Sequence, residues 1–289
     1  MGKTGFKKAK GARKAFLIFN TLFMVFLCAA VIVPILKILS SALGNKGTYG
    51  LELLPRRIDL IPFERVLGMY RTKRAFLVSL GTTAAVTLIG LIISSISAYI
   101  LMQRDMPGAK LFGYMLLVTL VFNVGFIPEY LAMKKLGLQY SYLPIVLPLC
   151  LNAANIFLLR NYFEQLPQSI MDAAEIDGCT PADKFFMIVL PLSRAPLAVI
   201  GLFFASAAWN EYFRYILYST SNTENLQYVI RDWTFPGCLG VSAPDWLRGL
   251  NYQSFICANV ILGVLAAVVF VTFFMHFFKP PKDVELLEK

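Results

Sequence analysis

Acidic side chains are concentrated in one short stretch of the chain, between residues 164 and 183. This stretch holds five Asp or Glu residues and no Lys or Arg before Lys184. Asp172 and Glu175 are three positions apart, so a helix would place both carboxylates on one face. Such a face can make polar contacts with another molecule, and small or apolar neighbours would let that molecule approach closely: Ala173, Ala174 and Ile176. A solvated acidic hairpin between two membrane helices fits the same spacing, so both interpretations stay open at this point.

The same stretch carries the signals of two helices joined by a hinge. Pro167 suits a first helical position, and Gly178 suits the residue just past a helix end. Thr180 then fits an N-cap, with Pro181 at the first helical position and Asp183 at the third, which is close to a capping box. The sequence therefore predicts a helix, a sharp turn at the glycine and a second helix.

Residues 172–178 read Asp-Ala-Ala-Glu-Ile-Asp-Gly, and they are followed by two phenylalanines and a Leu-Pro pair. This order resembles the EAA loop of ABC importer permeases, with Asp172 where the family has Glu. The resemblance implies that 164–191 contains a cytoplasmic coupling helix that docks into a groove on a separate ATPase. The residues it assigns to that contact are Asp172, Ala173, Ala174, Glu175, Asp177, Gly178 and Pro191. Asp177 also lies where the helix dipole disfavours negative charge, as happens at functional sites.

The composition predicts an all-α integral membrane protein. The chain has 289 residues, of which 57% are hydrophobic and 15% are charged. Six apolar runs are each near the roughly 20 residues that a spanning helix needs, and they predict six transmembrane helices with the coupling helix between the fourth and the fifth. The runs are 15–38, 75–102, 111–128, 142–159, 185–209 and 255–278. The net charge of +10 is spread over short loops and the N-terminus, so it indicates membrane orientation and not nucleic-acid binding.

This pattern divides the chain into segments with a predicted side of the membrane. A basic cytoplasmic tail (1–14) precedes the first transmembrane helix (15–38), and an extracytoplasmic loop (41–74) follows it. The permease core (75–278) contains the coupling loop 164–191 and an outer loop (210–254), and a second tail (279–289) ends the chain. An even number of crossings with a basic N-terminus predicts that both termini are cytoplasmic.

Further stretches resemble the maltose-type carbohydrate permeases, and more narrowly the branch for uronic-acid-containing and other complex oligosaccharides. They lie at 125–138, 155–163, 209–218 and 226–231, within 75–278; the tail from Phe277 onward departs from that branch. The resemblance implies a bacterial cytoplasmic membrane, a second homologous permease, two cytoplasmic ATPase subunits and an extracytoplasmic solute-binding protein that docks on 41–74 and 210–254. It also implies that ATP and Mg belong to the ATPase and that this chain has no cofactor of its own.

Polar residues inside apolar spans are candidates for the substrate pathway. The candidates are Asn152, Asn155, Trp209, Asn210 and Glu211, since aromatic rings stack on sugar faces and amides bond to hydroxyls. Hydrogen bonding between helices explains any single Asn equally simply. The sequence contains no phosphate-binding loop, nucleophile elbow or metal-ligand spacing. We therefore predict no catalytic and no metal-binding residues in this chain.

Three alternatives remain open. The first is an ABC importer permease for a non-sugar solute, against which the stretches at 125–163 and 209–231 argue. The second is a self-contained carrier or channel, which would place more ionisable residues in the spans. The third is a regulatory membrane protein whose acidic hairpin binds a signalling ATPase, and it would need no substrate pathway.

Overall fold

The computed structural model describes residues 3–44, 53, 55, 58–103, 106–122, 124–139, 141–218, 220, 223–234 and 252–277. These residues form helices, turns and short connections without a strand, so the predicted all-α class is confirmed. The predicted tail 279–289 and residues 235–251 of the predicted outer loop lie outside the described part.

The long helices are α1 (Lys3–Leu43), α3 (Tyr70–Met102), α11 (Arg194–Trp209) and α14 (Tyr252–Phe277). Between α1 and α11 lie α2 (Ile61–Gly68), α4 (Ala109–Val121), α5 (Phe126–Lys135), α6 (Leu143–Cys150), α7 (Ala153–Phe163), α8 (Gln168–Ile176), α9 (Pro181–Asp183), a π-helix (Lys184–Val189) and α10 (Leu190–Leu192). Two short helices, α12 (Phe213–Tyr218) and α13 (Leu226–Thr234), follow α11.

The chain divides into two compact units, and the smaller one comprises residues 1–69 and 236–262. In this unit α1 runs without a break from Lys3, so the described part of the predicted basic tail continues the first membrane helix. Asp59 lies just before α2: its carboxylate accepts from the Ile61 amide at 3.0 Å, and its own amide donates to the Leu43 carbonyl at 2.7 Å. The Val66 side chain is fully buried on the inner face of α2.

The larger unit comprises residues 70–235 and 263–289, and α3 forms its centre by packing against α11, α7 and α6. Small and hydroxyl side chains along α3 are buried, which lets neighbouring helices approach closely. The approach is tightest at Gly90, where a Cβ atom would lie 2.9 Å from the Phe204 ring of α11. Val86, Ile156, Leu159 and other apolar residues fill the core around this contact.

Four stretches are long and apolar enough to cross a membrane: Phe16–Leu43, Tyr70–Met102, Leu143–Phe163 and Tyr252–Val269. A fifth candidate is a bent pair, Pro181–Leu192 followed by Arg194–Trp209, with 81° between its halves. The predicted third run, 111–128, is shorter as a helix because α4 stops at Val121 and α5 begins only after Gly125, whose φ is +78°. The described residues therefore contain four or five candidate spans and one shorter apolar helix.

The bend divides the predicted fifth run, 185–209, at Ser193. Pro191 and Pro196 lie on either side of this residue, and neither can donate a backbone hydrogen bond to the preceding turn. Two missing donors within six positions weaken the helix enough for Ser193 to leave helical geometry, with φ −97° and ψ 24°. A hydropathy pattern does not register this break, because the apolar residues continue through it.

Candidate functional site

The hinge predicted between two helices is present at Gly178. Helix α8 begins after Pro167, which is its N-cap and not its first helical residue, and it ends at Ile176 with Asp177 as C-cap. Gly178 has φ +79°, a conformation that favours glycine, and the Cys179 amide donates to the Ala174 carbonyl at 2.9 Å. The chain thus reverses direction by a glycine-dependent helix end.

The second half of the hinge is a capping box. The Asp183 amide donates to Thr180 Oγ1 at 3.2 Å, and the Thr180 amide donates to Asp183 Oδ2 at 3.0 Å. Hydrogen bonds from the Thr180 side chain and backbone lower the pKa of the Asp183 carboxyl below its usual value. Both bonds lie within α9 and its N-cap, so they fix where α9 begins.

The two faces of α8 differ in exposure. Met171 and Ala174 are buried against the core of the larger unit. Ala173 and Asp172 are exposed, and Ile176 is 87% exposed despite its apolar side chain. Of the two alanines expected to face a partner, therefore, only Ala173 lies on the outward face.

Three contacts attach the hinge to the membrane helices. The Tyr99 hydroxyl of α3 donates to the Pro181 carbonyl at 2.9 Å, and the Tyr99 ring lies 5.0 Å from that of Phe185. Lys184 Nζ pairs with Glu175 Oε2 at 2.9 Å. Pro191 is exposed in α10, beyond the π-helix. A displacement of the hinge would therefore reach α3 directly through Tyr99.

The predicted pathway residues differ in exposure and in their hydrogen-bond partners. Trp209 is 3% exposed, with its ring against Phe76 at 6.1 Å. Asn210 is exposed and donates to the Ser206 carbonyl at 2.9 Å. Asn152 caps α7 by accepting from the amide of Asn155, a residue whose side chain is buried. The Asn152 and Asn210 hydrogen bonds are within or at the end of their own helices.

Glu211 belongs to an ion cluster that the sequence analysis missed. Arg214 pairs with Glu129 at 2.8 Å and with Glu211 at 2.6 Å, and its guanidinium lies 5.4 Å from the Phe126 ring centre. The three charged side chains are mostly buried. This cluster joins α5 to α12 and connects the stretch at 125–138 with the one at 209–218. The only sequence signal for this contact was that both stretches resemble the same branch of permeases.

A second cluster lies where α3 begins. Arg71 binds Glu224 through two hydrogen bonds of 2.7 and 3.0 Å and pairs with Asp232 at 2.7 Å. Its guanidinium also lies 5.6 Å from the Trp233 ring centre. Glu224 is 153 positions away in the chain, and no pattern in the sequence points to it. Together these contacts hold α13 against the start of α3.

Metal-binding chemistry has no support among the described side chains, since no group of three or more His, Cys, Asp or Glu residues is placed to hold an ion. The site is instead a surface hinge at one end of α3 and two ion clusters formed with the start of α3 and with α12. Such an arrangement can transmit force and hold helices in place.

Comparison with known proteins identifies the family, although no protein-family profile matches the chain. The chain is 35% identical over 217 residues to YtcP of Bacillus subtilis (strain 168), a polygalacturonan/rhamnogalacturonan transport system permease protein, covering 72% of this chain and 74% of YtcP. The chain belongs to the carbohydrate ABC transporter permeases. LplC of the same organism is 30% identical over 279 residues and covers 93% of each chain, so this family relationship extends over nearly the whole sequence.

Solved structures agree with the permease fold. A bacterial ABC transporter involved in the import of the acidic polysaccharide alginate matches with a TM-score of 0.83 at 24% identity, over 93% of this chain and 98% of the other. The alginate transporter in complex with an alginate pentasaccharide-bound periplasmic protein matches with a TM-score of 0.61 at 14% identity, over 92% and 95% of the chains. The family and the fold expected from residues 125–231 are thus confirmed.

Proposed function

We propose that this permease takes up oligosaccharides delivered by an extracytoplasmic solute-binding protein, using ATP hydrolysed by a separate subunit. The observation that carries the coupling half of this proposal is the hinge at Gly178. Ile176 beside it faces outward, and the Tyr99 hydroxyl of α3 donates to the Pro181 carbonyl. The exposed Ala173 and Ile176 place apolar surface beside the exposed Asp172, and such a mixed surface supports a protein contact. The sugar half rests on the family, whose members include a polygalacturonan/rhamnogalacturonan permease.

The hinge would act as the coupling helix between the fourth and fifth of six transmembrane segments. Six is reached when α4 and the part of the bent pair from residue 185 onward each count as one crossing. Helix α4 alone is about 20 Å long, short of the roughly 30 Å hydrocarbon core, so residues after Val121 would have to complete that crossing. Both termini would then be cytoplasmic, in the cytoplasmic membrane of a bacterium.

The partners follow from this arrangement. Two cytoplasmic ATPase subunits, which carry ATP and Mg, would bind this permease and a second homologous permease. On this chain the contact would be made by the outward Asp172, Ala173 and Asp177. Gly178 would provide the bend, while Ala174 and Glu175 would hold α8 to its own chain. Closure of the ATPase would push the hinge against α3 through Tyr99 and against α11 through the π-helix and Pro191, which would change the access of the pathway.

The pathway itself would lie beside the end of α11. Asn210 offers an exposed amide next to the buried Trp209 ring, the combination expected to bind a sugar hydroxyl and a sugar face. We assign Glu211 to positioning this helix end through Arg214. Asn152 and Asn155 would fix the break between α6 and α7, where the pathway would bend.

The coupling half can be tested with two changes on one helix. Ile176→Asp places a charge on the outward apolar position, whereas Ile170→Asp makes the same change six residues earlier, at a half-exposed position on another face of α8. We expect the ATPase to be lost from the complex purified in mild detergent with Ile176→Asp and retained with Ile170→Asp. Equal retention in both variants would remove the assignment of this surface to the ATPase.

The sugar half needs a separate measurement on the assembled transporter. Uptake of galacturonate-containing oligosaccharides into vesicles should depend on ATP and on the binding protein, and a neutral oligosaccharide or an amino acid should not compete. A complex that hydrolyses ATP normally but imports only a non-sugar solute would retain the coupling proposal and overturn the substrate.

A further inference from the structure

A cavity of about 440 Å³ lies between the end of α3, the start of α4 and the end of α7. Its walls combine two cations with a tyrosine and apolar side chains: Lys110, Arg160, Tyr114, Leu101, Leu117 and Phe157. The function proposed above makes no use of it. We propose that this cavity binds the headgroup of an anionic glycerophospholipid.

The position of the cavity is that of a lipid headgroup. It lies at the hinge end of α3, because Tyr99 bonds to Pro181 one turn before Gln103, which lines the cavity. Lys110 is the second residue of α4 and Arg160 is near the end of α7, so both cations are at the ends of apolar helices. Beyond Lys110 the surface of α4 is apolar and exposed at Leu111, Met115 and Val118. Charged groups at a membrane interface beside an apolar wall match the two parts of a lipid.

The charged groups that the structure describes at this site leave an excess of positive charge. Arg160 pairs with Glu164 at 2.8 Å, and among the described side chains Lys110 has no such carboxylate. These three groups therefore leave one positive charge, which matches one phosphodiester. Basic pockets between membrane helices on the cytoplasmic side are typical headgroup sites.

The start of α4 is open to an anion. Its N-cap is Gly108, which has no side chain to cap the helix, and its first turn contains no acidic residue. Lys110 places a cation beside this helix end, where the helix dipole also favours negative charge. A phosphate held by Lys110 and Arg160 would therefore be favoured by the dipole as well as by the two cations.

The test measures lipid retained by the detergent-purified chain, using native mass spectrometry during titration with phosphatidylglycerol or phosphatidylcholine. The wild type should retain phosphatidylglycerol preferentially, and Lys110→Gln combined with Arg160→Gln should weaken that retention about fivefold per removed cation. The matched control, Lys134→Gln with Lys135→Gln, removes two exposed cations from the end of α5 and should change nothing. Lipid retention is read on this chain alone, so the result does not depend on the sugar or on ATPase binding.

A second variant tests whether the lipid occupies the cavity itself. Leu117→Trp adds bulk to the cavity wall while keeping both cations, and it should reduce retention of both lipids. Unchanged phosphatidylglycerol retention in the double glutamine variant would overturn the proposal, as would equal retention of the two lipids by the wild type.

Two further measurements distinguish other occupants of the cavity. Full displacement of the lipid by free glycerol phosphate would indicate a site for a soluble anion. Loss of all lipid on assembly with the second permease would indicate a protein interface; either result overturns the proposal. If the double variant does not fold, Lys110→Gln alone carries the test.

Discussion

The hinge around Gly178 and the ion clusters around Arg71 and Arg214 are built in opposite ways. The hinge is exposed and is fixed mainly by bonds between residues three to five positions apart, such as the Thr180–Asp183 capping box. The clusters are largely buried and join residues 85 and 153 positions apart. Exposed local bonds open at little cost, whereas a buried charge that loses its partner is strongly destabilising. The difference indicates a movable end at the hinge and a fixed end at the clusters.

Breaking the fixed end should have the largest effect. Arg214→Ala leaves Glu129 and Glu211 as two carboxylates with little solvent and without their cation, and we expect a loss of about 2–5 kcal/mol in the free energy of unfolding. The measurement is the temperature at which the detergent-purified chain loses its size-exclusion peak.

Arg231→Ala is the matched control for this change. Arg231 also lies over an aromatic ring, with 4.7 Å between its guanidinium carbon and the centre of the Tyr212 ring, but it is exposed. Its removal should cost about 0.5–1 kcal/mol. Equal losses in the two variants would contradict the assignment of the Arg214 cluster to the fixed end.

The hinge can be strained without touching its contacts. Gly178→Ala meets no atom within 4 Å but forces an alanine to φ +79°, at a cost of about 1–2 kcal/mol. Gly137→Ala makes the same change at φ +70°, also in open space, at the end of α5. We expect the two variants to lose similar amounts of stability. Only Gly178→Ala should lose ATP-dependent uptake, because only Gly178 lies in the hinge. Normal uptake in that variant would separate the hinge from transport.

Removing the cap should have a smaller effect. Thr180→Ala deletes the hydroxyl that accepts from the Asp183 amide, at a cost of about 1 kcal/mol. Because the cap is local, hydrogen exchange should accelerate in residues 180–184 and stay unchanged in the part of α3 that precedes Tyr99. Faster exchange along the whole of α3 would show that the cap belongs to the fixed end.

The smallest expected effect is a pH dependence of the same segment. The pKa of Asp183 is lowered in the folded chain, so its contribution is fully present above the ordinary Asp value of about 4 and is lost as pH falls through the folded value. Hydrogen exchange at 180–184, corrected for the intrinsic rate, should increase between pH 6 and pH 3. Asp183→Asn should remove this change; its persistence in that variant would point to another titrating group.

The contrast between the two ends also explains how much the sequence could predict. Gly178, Thr180 and Asp183 were predicted because helix ends depend on residues three or four positions apart. The break at Ser193 was not predicted, since hydropathy continues through it and two prolines do not by themselves specify a bend. That Asn152 lines a pathway stays a prediction; its side chain accepts from the Asn155 amide and caps α7, a common use of asparagine at a helix start.

The distant partners of Arg71 and Arg214 could not be predicted from sequence spacing. Glu224 is 153 positions from Arg71 and Glu129 is 85 positions from Arg214, so only the packing of α12 and α13 brings them together. Spacing also left the orientation of Ile176 open, because an apolar residue in α8 could be buried or face outward. The structure decides this: Met171 and Ala174 are buried, and Ile176 is exposed.

The π-helix between Lys184 and Val189 sets the rotational phase between the hinge and the membrane. A π-turn contains an extra residue compared with an α-turn, and each α-helical residue advances the chain by roughly 100°. Because the wider turn takes up that extra residue, deleting one residue from this segment would restore α-helical winding and leave the hinge facing nearly the same way. The direction in which Ile176 faces therefore depends on this turn, since one extra residue in ordinary α-helical winding would rotate the hinge by about 100° without altering any contact side chain.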